Sequence, residues 1–138
     1  MSWQAVWQRK GLAPSQATDT LADLLRINGY DTGAGAMDTQ VWRAYVAHIQ
    51  TLLHITTATS VCEIGCGAGA LLYPLYEQGI SVTGIDYAAP SIAVARQVMA
   101  PMAFHVGEAR ALPWADGQFA VALACSVFQY FSDLNYAR

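Results

Sequence analysis

The nine residues Val61-Cys-Glu-Ile-Gly-Cys-Gly-Ala-Gly69 constrain this chain more than any other stretch. A short run able to form a strand passes directly into glycine at 65, 67 and 69, and helical sequence follows. Glycine has no β-carbon to forbid positive φ. Three of them at alternate positions let the backbone turn sharply and lie against a ligand at van der Waals distance. The helix that follows is expected to aim its first N–H groups at whatever sits in the turn.

From Ser60 onward, short apolar runs alternate with helical segments, the pattern of βαβ units and a parallel α/β sheet. Strands are expected over 61–64, 81–85, 103–106 and 119–124, with helices over about 70–78 and 90–100. Pro90 suits a first helical turn, where its missing N–H costs nothing. Pro74 implies a helix that starts late or bends. The stretch 1–58 reads as a helical cap or lid ahead of the sheet-forming stretch 59–138. One of its helices has the face Leu21, Leu24, Leu25 and Ile27, with Thr18 or Asp19 as N-cap and Asn28-Gly29 as the stop. After a glycine-rich turn, Asp38 can cap a longer helix with the face Val41, Tyr45, Ile49, Leu52 and Leu53. The last residues, from Ser132 or Asp133, look like the start of another capped helix.

With 138 residues the chain has room for one domain, and 54% of them are hydrophobic against 12% charged. Such a balance favours a sheet buried between helices. Net charge is −3 and the seven basic residues are scattered, so no stripe exists to neutralise a row of phosphates and a nucleic-acid partner is not expected. No apolar run is long enough to span a membrane and the first residues lack a signal-peptide core, so a cytoplasmic location is expected. Cys62, Cys66 and Cys125 lack metal-ligand spacing and are read as reduced thiols; no metal is expected.

Two further segments carry chemistry. Gly84-Ile-Asp86-Tyr87 closes the second strand, and Asp86 lies 17 positions after Gly69, where a carboxylate can accept both hydroxyls of a ribose. The alternative for Asp86 is a helix cap or turn residue. After the third strand comes Gly107-Glu108-Ala109-Arg110-Ala111-Leu112-Pro113-Trp114-Ala115-Asp116-Gly117-Gln118-Phe119. Glu108 there can accept a hydrogen bond from the exocyclic amine of a base, or can simply belong to a solvated loop.

Taken in this order, the three segments resemble the motifs of class I (Rossmann-like) S-adenosylmethionine-dependent methyltransferases, particularly those acting on small molecules. The resemblance covers roughly 60–131. It implies a Rossmann-like parallel sheet whose first four strands lie in the order 3-2-1-4, with helices on both faces. It further implies S-adenosyl-L-methionine as cofactor. By that resemblance Glu63 helps hold the methionine ammonium. Gly65 and Gly67 pass beneath the methionine and ribose, and Gly69 allows the turn into the helix. Asp86 takes the ribose hydroxyls, Tyr87 packs on the adenine, Glu108 and the Ala109 N–H meet the base, and Cys125 lines the methionine side. No catalytic residue is assigned, and His48, His54 and His105 read as ordinary helix or strand histidines.

Three positions depart from the family pattern: Glu108 replaces a commoner aspartate, Ala120 stands where aspartate often follows phenylalanine, and Gln129 holds a place often occupied by histidine. The acceptor pocket is expected beside Phe128, Gln129, Tyr130 and Phe131, with Trp3, Trp7, Trp42 and Tyr45 from the preamble. A small-molecule acceptor suits such a lining. The family sheet has seven strands, and four are visible, so the chain reads as C-terminally truncated or completed by a partner. Its fourth strand is then an exposed edge and a candidate homo-oligomer contact. Two other functions remain open: a non-catalytic cofactor-binding or interaction module, and an NAD-dependent dehydrogenase. Gly65, Gly67 and Ala70 do satisfy the dinucleotide pattern, while Glu63, the preamble and the third motif speak against it.

Overall fold

The computed structural model describes residues 2–10, 19–31 and 35–131. Four strands, β1 (Ser60–Ile64), β2 (Ser81–Asp86), β3 (Ala103–Val106) and β4 (Val121–Leu123), form one sheet in the order β3-β2-β1-β4. All pairs are parallel, with Glu63 level with Gly84 on one side and with Leu123 on the other. Parallel neighbours cannot be joined by tight turns, so the chain crosses over between strands. Helices α1 (Trp3–Lys10), α2 (Thr20–Ile27), α3 (Thr39–Leu52), α4 (Tyr73–Tyr76) and α5 (Ala89–Val98) supply the other layers, and a 3-10 turn, Phe128–Tyr130, follows β4.

α2 forms as its sequence predicts. Asp19 is the N-cap and accepts from the Leu21 N–H at 3.0 Å, Asp23 pairs with Arg26 at 2.8 Å, and Asn28 is the C-cap. Leu21, Leu24, Leu25 and Ile27 are buried in the same core as Val61, Leu72, Val82 and Ile92. Burying such side chains stabilises by about 1.5–3 kcal/mol apiece, so α2 is anchored to the sheet. α2 and α3 thus share a hydrophobic core with the strands after residue 59.

α3 is capped by Asp38, which accepts from the Gln40 and Val41 N–H groups. Its buried face differs from the expected one. Trp42 and Val46 point inward with Ile49 packed behind them, while Val41, Tyr45, Leu52 and Leu53 are exposed. The two faces lie one residue, about 100°, apart. Trp42 decides between them, because its Nε1 donates to the Ala70 carbonyl at 2.9 Å and its ring packs on Tyr30 at 4.7 Å.

Two other elements are shorter than expected. Residues 67–72 are turns and α4 has only four residues, with Pro74 in its first turn where the lost N–H is tolerated. β4 is three residues rather than six and only half-buried, with Ala122 exposed. It pairs with β1 alone, and its other edge pairs with no strand among the described residues. The helix expected from Ser132 lies outside the described residues, as does Thr18. No described helix is long and apolar enough to cross a membrane.

Candidate functional site

The carboxyl ends of β1, β2 and β4 converge on one cavity of about 620 Å³, within the usual range for small-ligand sites. Glu63, Gly65, Gly67, Asp86, Tyr87, Glu108, Ala109 and Cys125 all line it. Gly69 does not. It faces inward, and a β-carbon there would run into the Met99 methyl, so this glycine serves the packing of the turn on α5's end and β3.

The glycine-rich turn is closed by its own hydrogen bonds. Gly65 and Cys66 donate to the Ile85 carbonyl at 2.8 and 3.1 Å, and Gly69 donates to the Cys66 carbonyl at 2.9 Å. Gly67 donates to Asp86 Oδ2 at 2.9 Å and Ala68 to Asn28 Oδ1 at 2.7 Å. All five N–H groups from 65 to 69 are therefore engaged inside the protein. The expected fan of N–H groups from a following helix is absent, because α4 begins only at Tyr73. Positive φ at Gly65, Gly67 and Gly69 (73°, 54° and 87°) makes the turn possible.

What the cavity presents instead is carboxylate. Glu63 is 3% exposed, and its Oε2 has no hydrogen-bond partner among the described residues. Burial, then the nearby charge of Asp86, pushes its carboxyl well above the usual range. Asp86 is also raised by burial, with the Ala88 and Gly67 N–H groups pulling the other way. Its Oδ1 accepts from Ala88 at 2.8 Å, so Asp86 caps α5's approach while lining the cavity. The turn reading of Asp86 is thus met, and the same side chain faces the cavity. Glu108 stands at the rim, 40% exposed and paired with Arg110 at 2.8 Å. The described lining holds these three carboxylates and no lysine, arginine or histidine.

At the end of β4, the Tyr30 hydroxyl lies 3.4 Å from Ser126 Oγ, to which it donates, and 3.7 Å from Cys125 Sγ. Burial raises the Tyr30 phenol, opposed by the Ser126 hydrogen bond, and the charge of Cys125 raises the exposed Tyr45. Ser126 takes φ +56°, a strained value for a side-chain-bearing residue. The open side is covered by α1: Gln8 donates to the Tyr87 carbonyl at 3.2 Å, and Trp7 meets Tyr130 edge-on at 5.8 Å.

Of the aromatic group expected around an acceptor, Trp7, Trp42, Tyr130 and Phe131 line the cavity with Gln129. Phe128 and Tyr45 are exposed and lie outside the lining, and the Trp3 side chain is outside the described residues. None of the three histidines lines the cavity. Asn28, Tyr30 and Val127 also line the cavity, and no motif in the sequence points them there. Asn28 carried one local signal, its place in an Asn-Gly helix stop, but nothing local ties it to a turn forty residues on. Among the described residues no group of three His, Cys, Asp or Glu side chains is placed to hold a metal.

Comparison with known proteins agrees with this fold. Residues 61–138 match a family described as a methyltransferase domain. The chain is 36% identical over 81 residues to the ubiquinone biosynthesis O-methyltransferase of Methylobacterium nodulans, covering 56% of this chain and 32% of that one. It spans about a third of the length of the curated relatives it matches. Its fold is similar to that of a Methanococcus maripaludis protein described as an S-adenosyl-L-methionine-dependent methyltransferase, with TM-score 0.67 at 16% identity, over 91% of this chain and 59% of that one. It is also similar to CalS10 from Micromonospora echinaspora, an amino pentose methyltransferase solved with its cofactor bound, with TM-score 0.52 at 21% identity, over 61% and 36%.

Proposed function

The chain belongs to the family of methyltransferase domains, and from that premise we propose that it binds S-adenosyl-L-methionine in the cavity at the strand ends and serves methyl transfer to a small-molecule acceptor. The observation that carries this reading is the orphaned Oε2 of Glu63, in a cavity whose described lining has three carboxylates and no cation. An unpartnered buried polar atom costs about 1–3 kcal/mol, and a ligand ammonium would relieve it.

The residues fit the cofactor. Glu63 would meet the amino group, Asp86 the ribose hydroxyls through its remaining lone pairs, and Tyr87, Glu108 and the Ala109 N–H the adenine. Gly65 and Gly67 would lie beneath, where no β-carbon intrudes. A dinucleotide would bring a pyrophosphate and need free N–H donors at a helix start. Here the donors from 65 to 69 are already engaged, and the neighbouring charges are negative. That favours a cationic cofactor over NAD.

The cofactor supplies a methyl group already activated on a sulfonium, so the protein's part is alignment and the exclusion of water. Trp7, Trp42, Tyr130 and Phe131 give the remaining space an apolar wall suited to a ring-bearing, uncharged acceptor. Tyr30, whose O–H donates to Ser126 and whose phenol is raised by burial, would offer its oxygen there as an acceptor rather than act as a base.

Thermal melts with S-adenosylmethionine, S-adenosylhomocysteine and NAD test the assignment. Ligand at a hundredfold over Kd should add about 2.7 kcal/mol of stability. A rise with NAD and none with either sulfur ligand would refute it. Binding without turnover across an acceptor panel would favour a non-catalytic module.

A further inference from the structure

The glycine-rich turn is gripped from two sides, and only one grip belongs to the strands. Asp86 holds Gly67 from β2. The other grip is Asn28, whose side-chain amide uses both ends: Oδ1 accepts from Ala68 N at 2.7 Å, and Nδ2 donates to the Cys66 carbonyl at 3.1 Å. The fit is close, since a β-carbon on Gly67 would land on that amide.

Asn28 is itself held firmly. As C-cap of α2 its N–H reaches the Leu24 carbonyl at 2.9 Å, and the Tyr30 N–H reaches the Leu25 carbonyl at 2.9 Å. Gly29, at φ +88°, permits this ending, and four buried apolar residues pin α2 to the core. A rigid helix end therefore delivers one amide to two backbone groups on either side of Gly67. Glycine backbones lose the most freedom on ordering, so a turn ordered in advance removes that cost from ligand binding.

We propose that Asn28 is a positioning residue for the cofactor: by bridging Cys66 and Ala68 it presets the glycine-rich turn in its ligand-receiving shape and makes cofactor affinity depend on α2. This rests on the reading of the cavity as the S-adenosylmethionine site.

Calorimetry with S-adenosylhomocysteine on the full chain tests it, comparing wild type, Asn28→Ala and Asn28→Asp. Asn28→Ala should bind at least tenfold more weakly while its far-UV circular dichroism is unchanged. At neutral pH Asn28→Asp should be as weak, because a second oxygen then opposes the Cys66 carbonyl. When that carboxyl takes up a proton it again offers one acceptor and one donor, so its affinity relative to wild type should recover as pH falls. Glu63, Cys66, Asp86 and Tyr30 are the titratable groups around the turn, and they are common to all three proteins. Asn28→Ala should show no such recovery.

Hydrogen exchange on ligand-free wild type gives a second measure: the Ala68 amide should be protected. An Asn28→Ala affinity equal to wild type, with only a lower melting temperature, would reduce Asn28 to a structural residue. So would an Asn28→Asp ratio flat with pH, or an unprotected Ala68 amide. Failure of wild type itself to bind S-adenosylhomocysteine would refute the cavity reading and the proposal with it.

Discussion

Replacing Glu63 by glutamine keeps the shape of the side chain and removes its ability to ionise. In wild type the carboxyl is 3% exposed and burial raises its proton affinity in the native state. The folded protein therefore holds a proton at pH values where the unfolded chain, near the ordinary value of about 4.3, has lost it. A group with a raised native pKa contributes stability that is complete below the unfolded value and is lost as pH rises through the folded one. The slope over that interval is about 1.4 kcal/mol per pH unit. Glutamine has no such loss. Ligand-free Glu63→Gln should match wild type near pH 4 and become the more stable protein as pH rises. For a chain of this length, 1.4 kcal/mol corresponds to roughly 5 °C in melting temperature. Affinity should move the other way. Truncating one partner of a buried charge pair costs about 2–5 kcal/mol, so S-adenosylhomocysteine should bind about thirtyfold more weakly or worse. Melting curves at pH 4 to 8, paired with calorimetry at neutral pH, read both effects. A variant less stable than wild type at neutral pH, with unchanged ligand affinity, would show that Glu63 is a structural carboxyl and that its orphan oxygen is not reserved for a ligand.

Asp86→Ala should weaken S-adenosylhomocysteine binding at least tenfold more than Glu108→Ala, since Asp86 also holds Gly67 in the turn and Glu108 sits at the rim on Arg110; equal calorimetric losses would contradict this. Gly69→Ala should cost roughly 1–3 kcal/mol of stability in denaturant titrations, from positive φ and the collision with Met99, with ligand affinity within twofold. A normal stability with lost affinity would return Gly69 to the binding surface. The chain should self-associate with rising concentration in sedimentation runs, because β4 has an outer edge unpaired by any described strand. Leu123→Lys should reduce that association, and a monomer at every concentration would argue against it.

The features legible in the sequence are those whose causes sit in neighbouring residues. Alternating glycines demand positive φ, and 65, 67 and 69 all adopt it. Asp19 and Asp38 cap the helices after them because a short carboxylate before an apolar periodic run reaches the first free N–H groups. Pro74 delays its helix for an equally local reason. The strand order was implied by the family resemblance of the three motifs, and so were Glu63, Gly65, Gly67, Asp86, Tyr87, Glu108, Ala109 and Cys125, which the structure brings to one cavity.

Tertiary structure alone decided the rest. Two faces of α3 are available to periodicity, and Trp42 takes the inward place because the Ala70 carbonyl stands opposite its indole nitrogen and Tyr30 packs on its ring. Gly69 continues the spacing of Gly65 and Gly67, yet the Met99 methyl makes it a packing residue. Asn28 reached the turn from forty residues away, by virtue of where α2 is anchored. The isolation of Glu63 Oε2 is set in the same way. Backbone conformation and capping are governed by atoms within a few residues, whereas desolvation and hydrogen-bond satisfaction depend on which distant side chains come to enclose the same space.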